Sequence, residues 1–253
     1  ISTDKILICV NASNIEKDWK WISSQKGNFN CKLSNHSDDY SLIALQGPKS
    51  IDVLKTIGFA GPEKLEYYSL AEMKYENETV IVARTGYTGE DGFELFCSHQ
   101  MAQKFWERFF TAGVKPCGLA ARDVLRLEVC YPLYGHELND ELTPLDSGLK
   151  WTVKGAKEKF VGKNALQSYQ PKFQLIKLSL ERGIPRDNYE VLNEAQQVIG
   201  KVTSGTMSVA LNKGICFALI EKGKTTQKYF VKIRENLYEA TKHDKAFITG
   251  GHK

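Results

Sequence analysis

No apolar run in this 253-residue sequence approaches the roughly 20 residues that a membrane-spanning helix requires, which excludes an integral helical membrane protein. Blocks of like charge are missing too. The 34 Lys and Arg exceed the 30 Asp and Glu by four, and they are scattered along the chain. So small an excess favours acidic partners slightly but makes no nucleic-acid footprint. The six cysteines, Cys9, Cys31, Cys97, Cys117, Cys130 and Cys216, form no Cys-x-x-Cys pair, and the five histidines, His36, His99, His136, His243 and His252, are too dispersed for a metal-ligand set. The cysteines sit mostly in apolar runs and read as reduced core thiols of a reducing compartment. There is no Gly-x-Ser-x-Gly and no Gly-x-x-x-x-Gly-Lys-Ser/Thr, so serine-nucleophile and nucleotide-hydrolysing chemistries are disfavoured. Internal repeats and low-complexity tracts are also lacking. A composition of 42% hydrophobic, 25% charged and 11% aromatic residues is that of a globular protein, and the length fits two domains. Ile1 to Lys5 resemble neither a signal nor a transit peptide. The sequence starts without methionine and enters the apolar run Lys5–Val10 almost at once, which reads as the start of a fragment or processed chain.

What is present falls into two textures. The short apolar run Ile6 to Val10 predicts a buried strand. Asn11 to Asn14 then supply capping side chains for a helix in which Ile15, Trp19 and Ile22 form a stripe ending near Gly27. Ser41 to Gln46 predicts a strand, followed by Gly47-Pro48 and a helix burying Ile51, Val53, Leu54 and Ile57. Val80 to Arg84 and Phe93 to Cys97 predict two more strands. A helix from about His99 to Ala112 aligns Met101, Phe105 and Phe109, and another covers Leu119 to Cys130. Lys163 to Pro171 reads as a linker. Beyond it, five short β-rich runs follow: Leu175 to Leu180, Gln197 to Thr203, Ile215 to Ile220, Tyr229 to Ile233 and Leu237 to Ala240. Their spacing predicts a small antiparallel barrel or sandwich. The fold class expected is α+β followed by an all-β domain, with boundaries at residues 1–165 and 172–253.

The densest unusual segment is Arg84-Thr-Gly-Tyr-Thr-Gly-Glu-Asp-Gly-Phe-Glu94. Its glycines permit a tight turn and close approach to the backbone. Of its carboxylates, Glu94 is flanked by apolar residues on a strand, where it could accept two parallel N–H bonds from a guanidine-like edge. A charged hairpin with Glu94 paired to a lysine or arginine is the reading that spacing alone favours. Tyr87, at the turn, is either a surface ring or a pocket wall. Arg122 and Arg126 share a helix face at i and i+4, which suits a clamp on an anion or, more commonly, a solvated ion-pair stripe. Trp151 follows a turn-rich stretch, where its indole either stacks on a flat heterocycle or packs in the core. Asn11 stands at a strand end, placed to cap the next helix or face a ligand. His136, in Tyr134-Gly-His-Glu137, reads as a solvent-facing or capping residue.

Val10-Asn-Ala-Ser-Asn-Ile-Glu-Lys-Asp18, Leu45-Gln-Gly-Pro48, Arg84 to Glu94, Gly118-Leu-Ala-Ala-Arg-Asp-Val-Leu-Arg-Leu-Glu128, Thr143-Pro-Leu-Asp146, Arg182-Gly-Ile-Pro-Arg186 and Gly200-Lys-Val-Thr-Ser-Gly-Thr206 resemble, in order, the successive signatures of the aminomethyltransferase family, which includes the T-protein of the glycine cleavage system. The resemblance implies that the second domain is that family's small barrel. It also implies transfer of the one-carbon unit of an aminomethyl group, carried on the lipoyl arm of H-protein, to the co-substrate tetrahydrofolate, giving 5,10-methylenetetrahydrofolate and ammonia. Position by position, Glu94 matches the family's pterin-binding glutamate and Arg122 its arginine near the glutamyl tail. Asn11, Tyr87 and Trp151 match further pocket residues. The family's folate-positioning aspartate falls upstream of Ile1, Asp4 does not match it, and the tail Phe247–Lys253 lacks a tyrosine that some members carry; no catalytic residue is therefore assigned. A folate-dependent demethylase of another small substrate and a non-catalytic folate-binding module are the alternatives. No metal, nucleic acid or membrane is expected, and the chain is expected to act as a monomer in a bacterial cytoplasm, or in a mitochondrial matrix if eukaryotic.

Overall fold

The structure is a computed structural model that describes residues 1–249 and 251; Gly250, His252 and Lys253, at the end of the tail, lie outside the described residues. Two compact units are present, one built from residues 1–117 and one from residues 118–249.

In the first unit the opening residues run without regular pairing to Asn11, whose side chain caps a single 3-10 turn, Ala12–Asn14. The predicted strand Ile6 to Val10 does not form. Ile6 is 82% and Ile8 62% exposed; an apolar run becomes a strand only when a neighbouring strand satisfies its backbone, and none among the described residues pairs with it. The predicted helix does form, as α1 (Ile15–Gln25). It is followed by β1 (Ser41–Gln46), α2 (Ser50–Thr56), β2 (Leu70–Tyr75), β3 (Glu78–Ala83), β4 (Gly92–Cys97) and α3 (His99–Thr111). The strand β2, absent from the sequence reading, pairs with β3 across Glu76-Asn77, with Glu76 at φ 51°. All neighbours in the sheet β1-β4-β3-β2 are antiparallel.

Because side chains alternate along a strand, each face of this sheet has its own chemistry. Leu45, Val80, Val82, Phe93, Leu95 and Cys97 share the core face and meet Met101, Ala102, Phe105 and Phe109 of α3, and Leu54 of α2. Ser98 starts α3 by accepting a hydrogen bond from the Met101 amide at 3.1 Å. The Phe105 ring is fully buried, with centroids 5.0 Å from Tyr75, 5.9 Å from Phe59 and 5.6 Å from Phe109. The opposite face carries Ala44, Glu94 and Ala83 in one cross-strand row.

The second unit starts with α4 (Leu119–Glu128) and, where a linker was expected, contains a short helix, α5 (Lys163–Ser168), entered through Gly162 at φ 87°. Then come β5 (Phe173–Leu180), β6 (Glu190–Leu192), β7 (Val198–Ser208), β8 (Lys213–Glu221), β9 (Tyr229–Ile233) and β10 (Asn236–His243). They close into an antiparallel barrel in the order β10-β5-β8-β7-β6-β9. Five of these strands were expected; β6, three residues long, was not. The barrel interior includes Ile176, Leu178, Val191, Val202, Ala218, Ile220 and Val231. Closure removes every sheet edge, so so small a sheet needs no covering layer.

Asp146 ties the segment before β5 to the barrel. Its carboxylate, fully buried, accepts hydrogen bonds from the Thr143 amide (3.0 Å) and hydroxyl (2.6 Å), the Tyr169 hydroxyl (2.8 Å), and the amides of Lys172 (2.8 Å) and Phe173 (3.1 Å). Burial by itself would push its pKa up; the hydrogen bonds, those from Thr143, Tyr169 and Phe173 foremost, outweigh it and hold the group below the usual carboxylate value.

The cysteines divide. Cys97 and Cys216 are buried and Cys130 is half-buried, as core thiols should be, but Cys9, Cys31 and Cys117 are exposed, because their segments are irregular and flank the cores. Burial pushes the Cys97 thiol up to about 11, with the Glu78 charge adding to it, so it stays protonated at neutral pH.

Replacing the fully buried Phe105 by alanine is expected to lower stability by about 3–5 kcal/mol, whereas the same change at its neighbour Trp106, half-exposed, should cost much less; urea titrations of the two variants compare them directly. A carboxyl group with a depressed folded-state pKa stabilises the fold fully above the ordinary carboxylate range and loses that contribution as pH falls through it toward the lower folded value. The urea midpoint should therefore fall on acidification below about pH 5, and an Asp146→Ala variant should show a shallower acid dependence.

Candidate functional site

The loop from Arg84 to Asp91 joins β3 to β4 and is pinned at both ends. Arg84 Nε and Nη2 donate to Asp91 Oδ1 and Oδ2 at 2.9 and 2.7 Å, and Nη1 donates to the Leu65 carbonyl at 2.8 Å. A fork-to-carboxylate pair of this kind fixes direction as well as distance. The carboxylate that takes the guanidinium is thus Asp91, not Glu94. Strand alternation is the reason. The Arg84 guanidinium lies 5.7 Å from the centroid of the Phe93 ring, on the core side of β4, and Glu94, the next residue, projects from the other face.

Gln46, at the end of β1, inserts its amide into the same loop. Nε2 donates to the carbonyls of Thr85 (3.1 Å) and Phe93 (3.4 Å), and Oε1 accepts from the Thr88 hydroxyl (3.2 Å). A Cβ at Gly86 would fall 1.8 Å from Gln46 Oε1 and one at Gly92 would fall 2.7 Å from Gln46 Cδ, so the amide occupies the volume that side chains there would need. The sequence segments Leu45–Pro48 and Arg84–Glu94, separated by some forty positions, are one structural unit.

That unit holds Glu94 open. On the β4 face opposite the core, its cross-strand neighbours are Ala44 on β1 and Ala83 on β3, the smallest side chains that keep the strand regular. Oε2 accepts a 2.5 Å hydrogen bond from Thr85 Oγ1. No ion pair to Glu94 occurs among the described residues. The segment before Asn11 crosses this face: Lys5 Nζ donates to Glu72 on β2 at 3.0 Å, and the Cys9 thiol, raised first by desolvation, is raised further by the Glu94 charge. Asn11 Oδ1 accepts from the Ser13 amide (3.1 Å) and hydroxyl (2.7 Å), so its side chain acts as a cap. Tyr87 is half-buried in the loop. Asn11, Tyr87 and Glu94 are thus carried by one unit.

Arg122 and Trp151 belong to the other. Arg122 is exposed on α4, whereas Arg126, one turn later, is 1% exposed, so the two do not form a shared clamp or a solvated stripe. Arg126 is spent internally. Nε donates to Asp123 Oδ1 (2.8 Å), Nη1 to the Tyr131 carbonyl (3.1 Å) and Glu137 Oε2 (3.2 Å), and Nη2 to Ser204 Oγ (2.8 Å) while lying 2.7 Å from Asp123. Glu137, fully buried, also accepts from the Leu133 amide (2.9 Å) and Thr203 Oγ1 (2.5 Å). Thr203 and Ser204 are consecutive, yet both side chains reach this cluster. The register between β7 and β8 shifts between Val202 and Ser204, and the bulge supplies the extra residue that makes it possible. His136 is half-buried rather than solvent-facing, with Nδ1 2.7 Å from the Thr203 carbonyl. Trp151 is 72% exposed, which overturns the core-packing reading of that ring.

Sequence spacing missed Gln46, Thr85 and the Ala44–Glu94–Ala83 row, since each depends on which strands pair. Thr85 was in view within the glycine-rich segment, but nothing in the sequence puts its hydroxyl on Glu94.

Fold and site together define an α+β protein with an open carboxylate on a sheet face and a small closed barrel at its C-terminal side. Family models agree in sequence: the GCVT N-terminal domain matches residues 1–157 and the glycine cleavage T-protein C-terminal barrel domain matches residues 174–248. The aminomethyltransferase of Chlorobaculum tepidum is 42% identical over 245 residues, covering 92% of this chain and 67% of that protein. That of Leptospira interrogans is 41% identical over 263 residues, covering 98% and 70%. Among solved structures, the glycine cleavage system aminomethyltransferase T from Bartonella henselae superposes with a TM-score of 0.84 at 28% identity, covering 94% of this chain and 67% of that one. The chain belongs to the glycine cleavage T-protein family of aminomethyltransferases. No helix among its described residues is long and apolar enough to cross a membrane.

Truncating Arg126 to alanine should destabilise the second unit by about 3–5 kcal/mol, because Glu137 is left charged and buried without its cation. Arg126→Lys should recover only part of the loss, since one ammonium cannot replace a planar fork with four partners; thermal denaturation of both variants tests this.

Proposed function

We propose that the chain binds tetrahydrofolate and transfers to it the one-carbon unit of the aminomethyl group carried on the lipoyl arm of H-protein, with release of ammonia. The observation that carries this reading is the state of Glu94 in a chain of this family. A reduced pterin presents a guanidine-like edge that needs a carboxylate with lone pairs to spare. Glu94 has them: one hydrogen bond from Thr85, alanines on either side and no ion pair among the described residues. The residues present therefore fit the group.

In this reading Glu94 accepts the N–H pair of the pterin edge, Tyr87 offers a ring face to its flat system and Asn11 contributes from the segment that crosses the Glu94 face, all within the first unit; for Trp151 and Arg122, in the second, a role as ring and glutamyl-carboxylate contacts rests on the resemblance of their motifs alone. Tetrahydrofolate, when bound, supplies the nitrogens that accept the one-carbon unit as 5,10-methylenetetrahydrofolate. This chain's own residues bind and orient, so the rate gain assigned to them is one of proximity. The folate-binding domain is proposed to span residues 1–165 and the barrel domain 172–253, acting as a monomer in a bacterial cytoplasm, or in a mitochondrial matrix if eukaryotic. The similarity to bacterial aminomethyltransferases supports the first setting.

Glu94→Ala and Arg122→Ala are each expected to weaken tetrahydrofolate binding by about 1.5–3 kcal/mol, the worth of a hydrogen bond to a charged group; unchanged calorimetric titrations would remove both residues from the pocket. Ammonia release that requires both tetrahydrofolate and aminomethyl-loaded H-protein is the expected activity. Binding of tetrahydrofolate without such release would reduce the protein to a folate-binding module.

A further inference from the structure

We infer that Thr85 is a positioning residue for ligand recognition at Glu94, an inference that rests on the folate reading above. A carboxylate at the end of a flexible side chain can turn about its terminal bond, and a two-point contact with a planar N–H edge requires one orientation. For Glu94 the cross-strand neighbours Ala44 and Ala83 are too short to fix that orientation. Among the described residues the hydrogen bond that orients it is Thr85 Oγ1 donating to Oε2 at 2.5 Å. Thr85 is itself fixed. Its carbonyl accepts from Gln46 Nε2 at 3.1 Å, and Gln46 is locked between Gly86 and Gly92. The order of support therefore runs from Gln46 to Thr85 to Glu94.

Counting lone pairs shows that this support does not consume the site. An ionised carboxylate has about four acceptor positions, of which Thr85 takes one on Oε2. Among the described residues no other group hydrogen-bonds to Glu94, so both lone pairs of Oε1 and the second of Oε2 stay available there, which is what a bidentate edge uses. The Thr85 hydroxyl thus orients the carboxylate and leaves it able to accept the two N–H groups of a 2-amino-4-oxo ring. The predicted specificity is for rings that present that paired donor edge over rings that present a single donor.

The test is titration of the intact chain, under anaerobic conditions, with tetrahydrofolate and with its 2-desamino analogue, which lacks one donor of the edge. Thr85→Val keeps shape and removes the donor. It should raise the Kd for tetrahydrofolate roughly tenfold, Thr85→Ser should restore it to within about twofold, and the analogue should respond less than about threefold to the valine change. A merely structural role would move both ligands alike and lower the urea midpoint of Thr85→Val. Glu94→Gln separates the two levels. If the unaltered chain fails to bind tetrahydrofolate, or Glu94→Gln binds it as well as the parent, the folate reading falls and this inference with it. If Glu94→Gln weakens binding while Thr85→Val does not, or if Thr85→Ser fails to restore it, the role of Thr85 alone is overturned.

Discussion

A charge can leave water only if the protein replaces the hydrogen bonds it gives up, and this constraint governs how the second unit is assembled. The charged side chains buried among the described residues are Arg126, Glu128, Glu137 and Asp146, and each is met by several partners. Arg126 and Glu137 join α4 to the bulged strand β7; Glu128 reaches the same strand further along through Ser208 at 2.6 Å. Asp146 gathers the start of β5. The barrel's interior itself is apolar. What these charged groups add is direction, since hydrophobic contact tolerates small slides of a helix on a sheet and a five-donor guanidinium does not. Arg122 is presented from a helix whose next turn is held in this way.

The first unit solves the opposite problem, keeping a carboxylate ordered without satisfying it. Its polar contacts are concentrated in the loop that leads into β4 and at the end of β1. Arg84 and Asp91 close the loop, Gln46 fills the space left by two glycines, and among the described residues Thr85 is the one that hydrogen-bonds to the carboxylate. Alternation along β4 separates the two roles: Phe93 faces the ring cluster around Phe105, and Glu94 faces outward between alanines. A rigid scaffold under an under-satisfied acceptor is the arrangement expected where a ligand completes the hydrogen bonding.

Much of this was readable in the residues themselves. The alternating and helical patterns placed β1, β4 and α3 within a residue or two, and the run of short β segments implied a small all-β domain that proved to be a closed barrel. The readings that failed share a cause. Ile6 to Val10 has a strand's composition but no partner among the described residues; β2, with polar and apolar residues mixed at Glu72 and Lys74, has a partner but an unremarkable composition. Lys163 to Ser168 is a helix too short to show a stripe. Arg122 and Arg126, equivalent by spacing, differ in burial: the second, one turn further along α4, reaches Ser204 of β7 and Glu137.

By itself the sequence determined the class of fold, the family and the candidate ligand-facing residues, because periodicity, turn residues and collinear motifs are local properties of the chain. Only tertiary structure decided which carboxylate is paired and which is left open. That choice depends on strand pairing and on the side of the sheet each residue takes, and it joins Gln46 to Thr85 and Thr85 to Glu94 across distances along the chain that no local pattern spans.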